Sequence, residues 1–164
     1  MSSEVGVTSA EFRRACGRFS TGVTIASVMD AQGTPHGLTV SSFTSASLEP
    51  PLILICLGHR VSVIDAFRAS AHFGINVLAE NQRDLAERFS RKGQDRFDAL
   101  NWRRGKTGVP ILAGVLAAIE CVVRQRFTAG DHDIFVAEMV GARVARGAPL
   151  IHFASHYRRL DASH

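Results

Sequence analysis

"AAIECVVRQRFTAGDHDIFVAEMVGARV", residues 117–144, decides how this chain folds. Apolar and polar residues alternate along its first half. Ile119, Cys121, Val123 and Phe127 fall on one face of an extended chain, with Glu120, Arg124 and Arg126 among those on the other. A period of two marks a strand with one side buried. "AGDHD" interrupts the pattern and "IFVAEMVGARV" supplies a second long strand, so the two pair as an antiparallel hairpin. Reversing the chain needs little more than the glycine. Asp131, His132 and Asp133 at the tip therefore carry polarity that a turn alone does not explain.

Working outward, more strand-like runs appear before and after the hairpin. "GVTIASVMD" (22–30) is β-branched, and "AQGTPHG" (31–37) turns it into "LTV", giving a first hairpin. "PLILICL" (51–57), "HFGINVL" (72–78) and a last strand in "PLIHFASHYRRL" (149–160) add three more. The helices are short: "SAEFRRACGRF" (9–19), with Ser9 as N-cap and Phe12, Ala15, Cys16 and Phe19 on one side, "SVIDAFRAS" (62–70), and "NQRDLAERFSR" (81–91). Strand follows strand without regular βαβ alternation. The expected class is mainly β, an α+β chain whose antiparallel sheet is closed or partly closed into a barrel.

With 164 residues, 46% apolar and 21% charged, the chain suits a single domain over 1–164. It has no run of eighteen apolar residues, and "MSSEVGVTSAEFRRACGRF" lacks the basic-then-apolar order of a secretory leader. The reading is a cytoplasmic protein without membrane partners. Cys16, Cys56 and Cys121 are far apart and form no C-x-x-C pair, so reduced core thiols are expected. The net charge of +4 comes from scattered residues. Their densest cluster, Arg103, Arg104 and Lys106 in "NWRRGKTG" (101–108), reads as a solvated loop, and no nucleic-acid-binding motif accompanies it.

Several chemistries are excluded by position. No two glycines are separated by a single residue, which removes the G-x-G-x-x-G dinucleotide fingerprint. "GKT" (105–107) imitates the end of a P-loop, yet the required first glycine is Leu100. H-E-x-x-H, G-x-S-x-G and structural zinc spacings do not occur, and no metal site is expected. What remains unusual is "GLTVSSFTSASLEPP" (37–51), with Thr39, Ser41, Ser42, Thr44, Ser45 and Ser47 in nine residues. Hydroxyls and backbone N–H groups satisfy phosphate and carbonyl oxygens. Composition alone leaves a ligand loop and a solvated loop equally open.

Six stretches in order, "FRRACGRFSTGVTIAS", "GLTVSSFTSASLEPPLILICL", "FGINVL", "FSRKGQDRF", "GDHDIFVAEM" and "PLIHFASHYRRL", resemble the short-chain flavin reductases, over a core of about 10–160. These are the small components of two-component flavin-dependent monooxygenases. The resemblance implies an FMN-binding split β-barrel with short flanking helices, usually a homodimer. It also implies reduction of FMN or FAD by NADH or NADPH, with reduced flavin passed to a separate monooxygenase.

Carried onto this sequence, it assigns the flavin to Thr39, Val40, Ser41, Ser42, Phe43, Thr44, Ser45 and Ala46, to Ser20, Thr21 and Gly22, to Asn76, and to Ser90 with Lys92 near the phosphates. His132, Tyr157 and Arg158 are assigned to the nicotinamide nucleotide. No catalytic acid or base is expected, because hydride passes directly between stacked rings that the protein orients. The sequence departs from the family pattern at His152, where an aromatic such as tyrosine is commoner, and at Ser20 and Ser90, often alanine. The alternative is a flavin-binding barrel without reductase turnover, and the "GDH" turn with Tyr157 argues against it.

Overall fold

A computed structural model describes residues 6–93 and 95–160, so the ends of the expected 1–164 domain lie outside the described residues. In chain order the elements are α1 (Ser9–Cys16), β1 (Thr21–Gly22), β2 (Thr24–Met29), β3 (Pro35–Val40), β4 (Thr44–Ser47), β5 (Leu52–Gly58) and α2 (Ile64–Ala69). They continue with β6 (His72–Val77), α3 (Arg83–Ser90), β7 (Trp102–Arg104), β8 (Pro110–Leu112), β9 (Ala117–Ala129), β10 (His132–Val144), β11 (Ile151–Phe153) and β12 (His156–Arg158).

Seven strands pair in the order β3-β2-β6-β9-β10-β5-β4, antiparallel throughout. Leu38 and Val40 of β3 share one core with Ile53, Ile55 and Leu57 of β5, although the two strands are far apart in that order. The sheet has therefore curled until its ends face each other. No backbone ladder joins β3 to β5, and the result is the expected barrel, split along one seam.

Ile64 and Phe67 of α2 pack into this core. The rings of Phe67, Phe73 and Phe135 lie 6.3–6.5 Å apart, tilted or edge to face. Burying each contributes about 2–3 kcal/mol. A second core, with Val23, Ile25, Leu78, Ala86, Phe89, Phe97, Leu112 and Leu150, fills the other side of β2. Burial on both faces explains why "GVTIASV" is apolar without alternation.

The long hairpin forms as expected, but its faces are not those of simple alternation. Pairing steps from Val136↔Gln125 to Ala137↔Val123, and from Met139↔Cys121 to Gly141↔Glu120, so Arg124 and Val140 are bulge residues. An extra residue reverses inside and outside beyond it. Phe127 consequently points outward, 51% exposed, while Arg126 turns toward α2 and donates to the Arg68 carbonyl.

Other corrections are local. The cap of α1 is Thr8, in a reciprocal capping box with Glu11, rather than Ser9. Phe12, Ala15 and Cys16 lie exposed on this helix, and Phe19 beyond it is 79% exposed. Of the expected core thiols, Cys121 is buried, Cys56 half-buried and Cys16 exposed. The expected last strand is a hairpin of β11 and β12, reversed at Ala154 and Ser155 with φ of 49° and 64°. The basic 101–108 segment is partly strand: β7 pairs with β8. Its "GKT" turn encloses the Glu120 carboxylate, which accepts from Lys106 N–H (3.1 Å), Thr107 N–H (2.7 Å) and the Thr107 hydroxyl (2.7 Å). Burial raises the Glu120 pKa, and these donors outweigh it, holding it below the usual value.

Candidate functional site at the barrel seam

Two side chains span the seam between β3 and β5. Ser42, in the link between β3 and β4, accepts from Cys56 N–H at 2.9 Å and donates to the Cys56 carbonyl at 3.0 Å. It thereby substitutes for a strand at that one residue of β5. Farther along, Arg96 donates to the Gly37 carbonyl of β3 (2.6 Å), to Ser62 Oγ before α2 (3.4 Å) and to the Arg91 carbonyl (2.6 Å). Gly37 and Ser42 are separated by roughly 17 Å of extended chain. A cleft of about 1030 Å³ opens beside Arg96, lined by His36, Gly37, Ser62, Val63 and Trp102 among others.

Sequence explains this architecture locally. A Cβ on Gly37 would stand 3.0 Å from both the Ala26 carbonyl and the Phe89 ring, so only glycine lets α3 lie this close to β3. Thr39 donates to the Ala86 carbonyl at 2.6 Å, fixing the same contact from its other end. Inside the cleft His36 stands 2.7 Å from Asp30, and that hydrogen bond lowers the Asp30 pKa. Burial draws the Arg96 pKa down from its very high ordinary value.

At the hairpin tip the polar residues divide between two directions. Gly130, with φ of 60°, begins the two-residue reversal. His132 points outward, its side chain 47% exposed, with Nδ1 2.7 Å from Asp131. This contact lowers the Asp131 pKa. Opposite it in the ladder is Gly58, and a Cβ there would lie 3.5 Å from His132 Nε2, so the imidazole rests on bare backbone.

Asp133 points inward and is 2% exposed. It accepts from Arg68 Nε (2.8 Å), His59 Nε2 (3.0 Å) and Thr128 Oγ1 (3.2 Å). The Arg68 hydrogen bond chiefly holds its carboxyl at about 2. Ser42 at Cys56 and His132 at Gly58 thus flank β5 from opposite sides, two residues apart along it.

A third group adjoins the Val40 end of β3. Thr24 pairs with Val40, and just before it Thr21 pairs with His152, which in turn pairs with Tyr157. The Thr21 hydroxyl is buried without a hydrogen-bond partner. Tyr157 is half-buried with its ring 5.8 Å from that of His152, and the Arg83 guanidinium lies 5.8 Å over it. Burial raises the Tyr157 pKa.

The expected site residues are therefore partly gathered. Ser41, Ser42 and Phe43 form the link across the seam, whereas Thr44, Ser45 and Ala46 belong to β4, an edge strand rather than a loop. Ser20 and Gly22 flank Thr21 and are exposed. Val40 is a core side chain and offers a ligand only its backbone. Ser90 donates to the Glu87 carbonyl, and Lys92 is exposed beside Gly93 at the cleft. Both lie toward the Gly37 end of the seam, away from Ser42. Arg158 is exposed on β12.

Asn76 is a correction. It is 0% exposed and spends its amide on the protein, donating to the Ile25 carbonyl and Ser27 Oγ and accepting from Leu112 N–H. It ties β2, β6 and β8 together and presents nothing to a cofactor. Sequence reasoning did not single out Arg96, Ser62, His36 or the inward Asp133. For Asp133 a signal existed: it shares the parity of Phe135 and Ala137, the buried side of β10.

The donor set suits a flat, phosphate-bearing ligand, with cations near one end of the seam, hydroxyls near the other and an orphaned hydroxyl at Thr21. A family model described as "Flavin reductase like domain" matches residues 16–161. FMN reductase (NADH) SmoA of Agrobacterium fabrum is 43% identical over 88% of this chain and 82% of its own length. The reductase component of a Rhodococcus opacus 4-nitrophenol 4-monooxygenase/4-nitrocatechol 2-monooxygenase is 38% identical over 90% and 79%.

Among solved structures, Streptomyces globisporus NADH:FAD oxidoreductase SgcE6 in complex with NAD and FAD fragments superposes with a TM-score of 0.89 at 34% identity, covering 94% of this chain and 93% of that one. The chain spans only 41% and 55% of the length of two matching Rhizobium meliloti relatives. Seam, hairpin and a match over nearly the whole described chain agree, and the chain belongs to the flavin reductase like domain family.

Proposed function

We propose that this chain acts in the cytoplasm as a single-domain NAD(P)H:flavin oxidoreductase, reducing FMN or FAD and releasing reduced flavin to a separate monooxygenase. The observation that carries this reading is the pair Ser42 and His132 on the two flanks of β5. One end of the flavin-assigned link and the nicotinamide-assigned histidine are separated only by the width of β5, though 90 residues apart in sequence.

When both ligands are bound, the nicotinamide supplies a hydride and the flavin ring accepts it. The chain's own residues bind and orient. Ser41 offers its hydroxyl, and Ser41 and Ser42 their backbone groups, to the flavin's polar edge, while the Ser42 hydroxyl stays on Cys56 and holds the link in place. The Thr21 hydroxyl gains the partner it lacks. Arg96 and Lys92 meet phosphate as cations. His132 accepts at Nε2 from a donor of the nicotinamide nucleotide such as its carboxamide N–H, since its Nδ1–H is given to Asp131. Tyr157 and Arg158 border the same nucleotide from β12. A side-chain acid or base is unnecessary, and what the rate needs is ring alignment.

The reading includes a homodimer. Exposed Phe12, Phe19, Leu48, Val140 and Val144 provide apolar surface that a second copy would cover.

A steady-state assay crossing NADH and NADPH with FMN, FAD and riboflavin tests the proposal. The expected result is nucleotide oxidation that depends on added flavin and is weaker with riboflavin, which lacks the phosphate for Arg96 and Lys92. Oxidation independent of flavin would overturn it.

A further inference from the structure

Asp133 presents a physical puzzle: a carboxylate with 2% exposure occupies a face otherwise given to Phe135 and Ala137. Burying an ion costs several kcal/mol before its partners are counted, and an apolar residue at such a place is often neutral or better. Compared with an apolar residue at this place, the charge thus has no clear advantage in stability. Its partners come from three elements: Arg68 from α2, His59 from the turn after β5, and Thr128 from β9. Among the described residues no group of three or more His, Cys, Asp or Glu side chains is arranged to hold a metal.

What the three partners join is informative. His59 N–H donates to the Asp131 carbonyl at 2.9 Å, so the turn after β5 is fastened to the hairpin tip twice, once by backbone and once through Asp133. The same turn continues through Val61, whose N–H donates to the Gly58 carbonyl, to Ser62 on the wall of the cleft. Arg96 holds Ser62 from the other side. The residue next to Asp133 is His132. A continuous set of bonds therefore runs from the outward histidine, through the buried carboxylate, to the cleft.

We propose that Asp133 and His59 are positioning residues that lock the His132-bearing tip to the turn walling the cleft and so set the alignment of nicotinamide against flavin. This rests on the reductase reading above. Neither side chain touches a reacting atom. Misplacement by about 1 Å is enough to slow a reaction that depends on alignment roughly a hundredfold, and loss of one of several fastenings is expected to cost less.

The test is made on His59, which is 31% exposed and less exposed to folding failure than the acid. His59→Ala removes the donor to Asp133, whereas His59→Gln retains an N–H at a similar reach. Each is assayed with NADH and with NADH deuterated at the transferred position, alongside flavin titration and a thermal midpoint. The expected result for His59→Ala is kcat lowered about tenfold, an increased primary deuterium isotope effect and flavin Kd within twofold of wild type, with most of kcat restored in His59→Gln. Asp133→Asn, if it folds, shows the same isotope effect.

An unchanged kcat and isotope effect in His59→Ala would overturn the inference. So would a kcat loss matched by an equal loss of flavin affinity, or equal damage in His59→Gln. A wild-type protein that fails to oxidise NADH with added flavin would instead overturn the reductase reading itself.

Discussion

At the residue scale, the tip 130–133 shows how one short stretch serves two environments. Adjacent strand residues face opposite sides, so His132 goes outward and Asp133 inward, and each finds partners suited to its exposure. Asp133 makes acid stability predictable. Its pKa is lowered from 3.8 to about 2, chiefly by the Arg68 hydrogen bond. A carboxyl depressed in the folded state stabilises above its unfolded value and loses that contribution as pH falls through its folded one. Stability measured by denaturant titration should therefore fall from pH 4 toward pH 2, and Asp133→Asn should flatten that slope. An unaltered slope in the variant would place the acid sensitivity elsewhere. His132→Ala should raise the NADH KM several-fold, with the flavin KM changed less, because one hydrogen bond is worth about 1 kcal/mol. Equal changes in both would remove His132 from the nucleotide side.

At the element scale, the sequence disclosed most strands and all three helices, since period-two and helical spacing are local properties. Faces and turns were less legible. The outward turn of Phe127 follows from the Arg124 bulge, and no residue type announces a bulge in "VVRQRF". The reversal at Ala154 and Ser155 was hidden because neither is glycine or asparagine, the residues that normally signal positive φ. That turn is also a prediction. Relieving left-handed strain at an alanine is worth about 1 kcal/mol, so Ala154→Gly should raise the thermal midpoint without altering the β11–β12 pairing. A lowered midpoint would show that the loss of chain entropy in the unfolded state outweighs the strain. Asn76 was misread for a different reason: a polar residue in "INVL" looks functional by sequence, yet three internal hydrogen bonds consume it.

At the scale of the whole molecule, the proposed function depends on where the barrel fails to close. Were the free edge of β3 paired with another strand, the Gly37 carbonyl would be spent in a ladder and not available to Arg96. Ser42 holds the seam at one residue. Ser42→Ala should weaken flavin binding by about 1 kcal/mol, and slightly more if Cys56 N–H is left without a partner. Flavin titrations identical to wild type would separate the seam from the site. The order of motifs in the sequence was enough to anticipate the fold, but the placing of residues 42 and 132 on the two edges of one strand depends on strand order, which local pattern does not encode.

On the proposed function, the seam brings a flavin and a nicotinamide into contact. The most direct measurement is anaerobic stopped-flow mixing of the flavin-loaded protein with NADH, following the flavin's visible absorbance. Rapid bleaching, far faster than in the same mixture without protein and slowed in His132→Ala, is the predicted result. Bleaching no faster than in the protein-free mixture would show that the two rings do not meet on this protein.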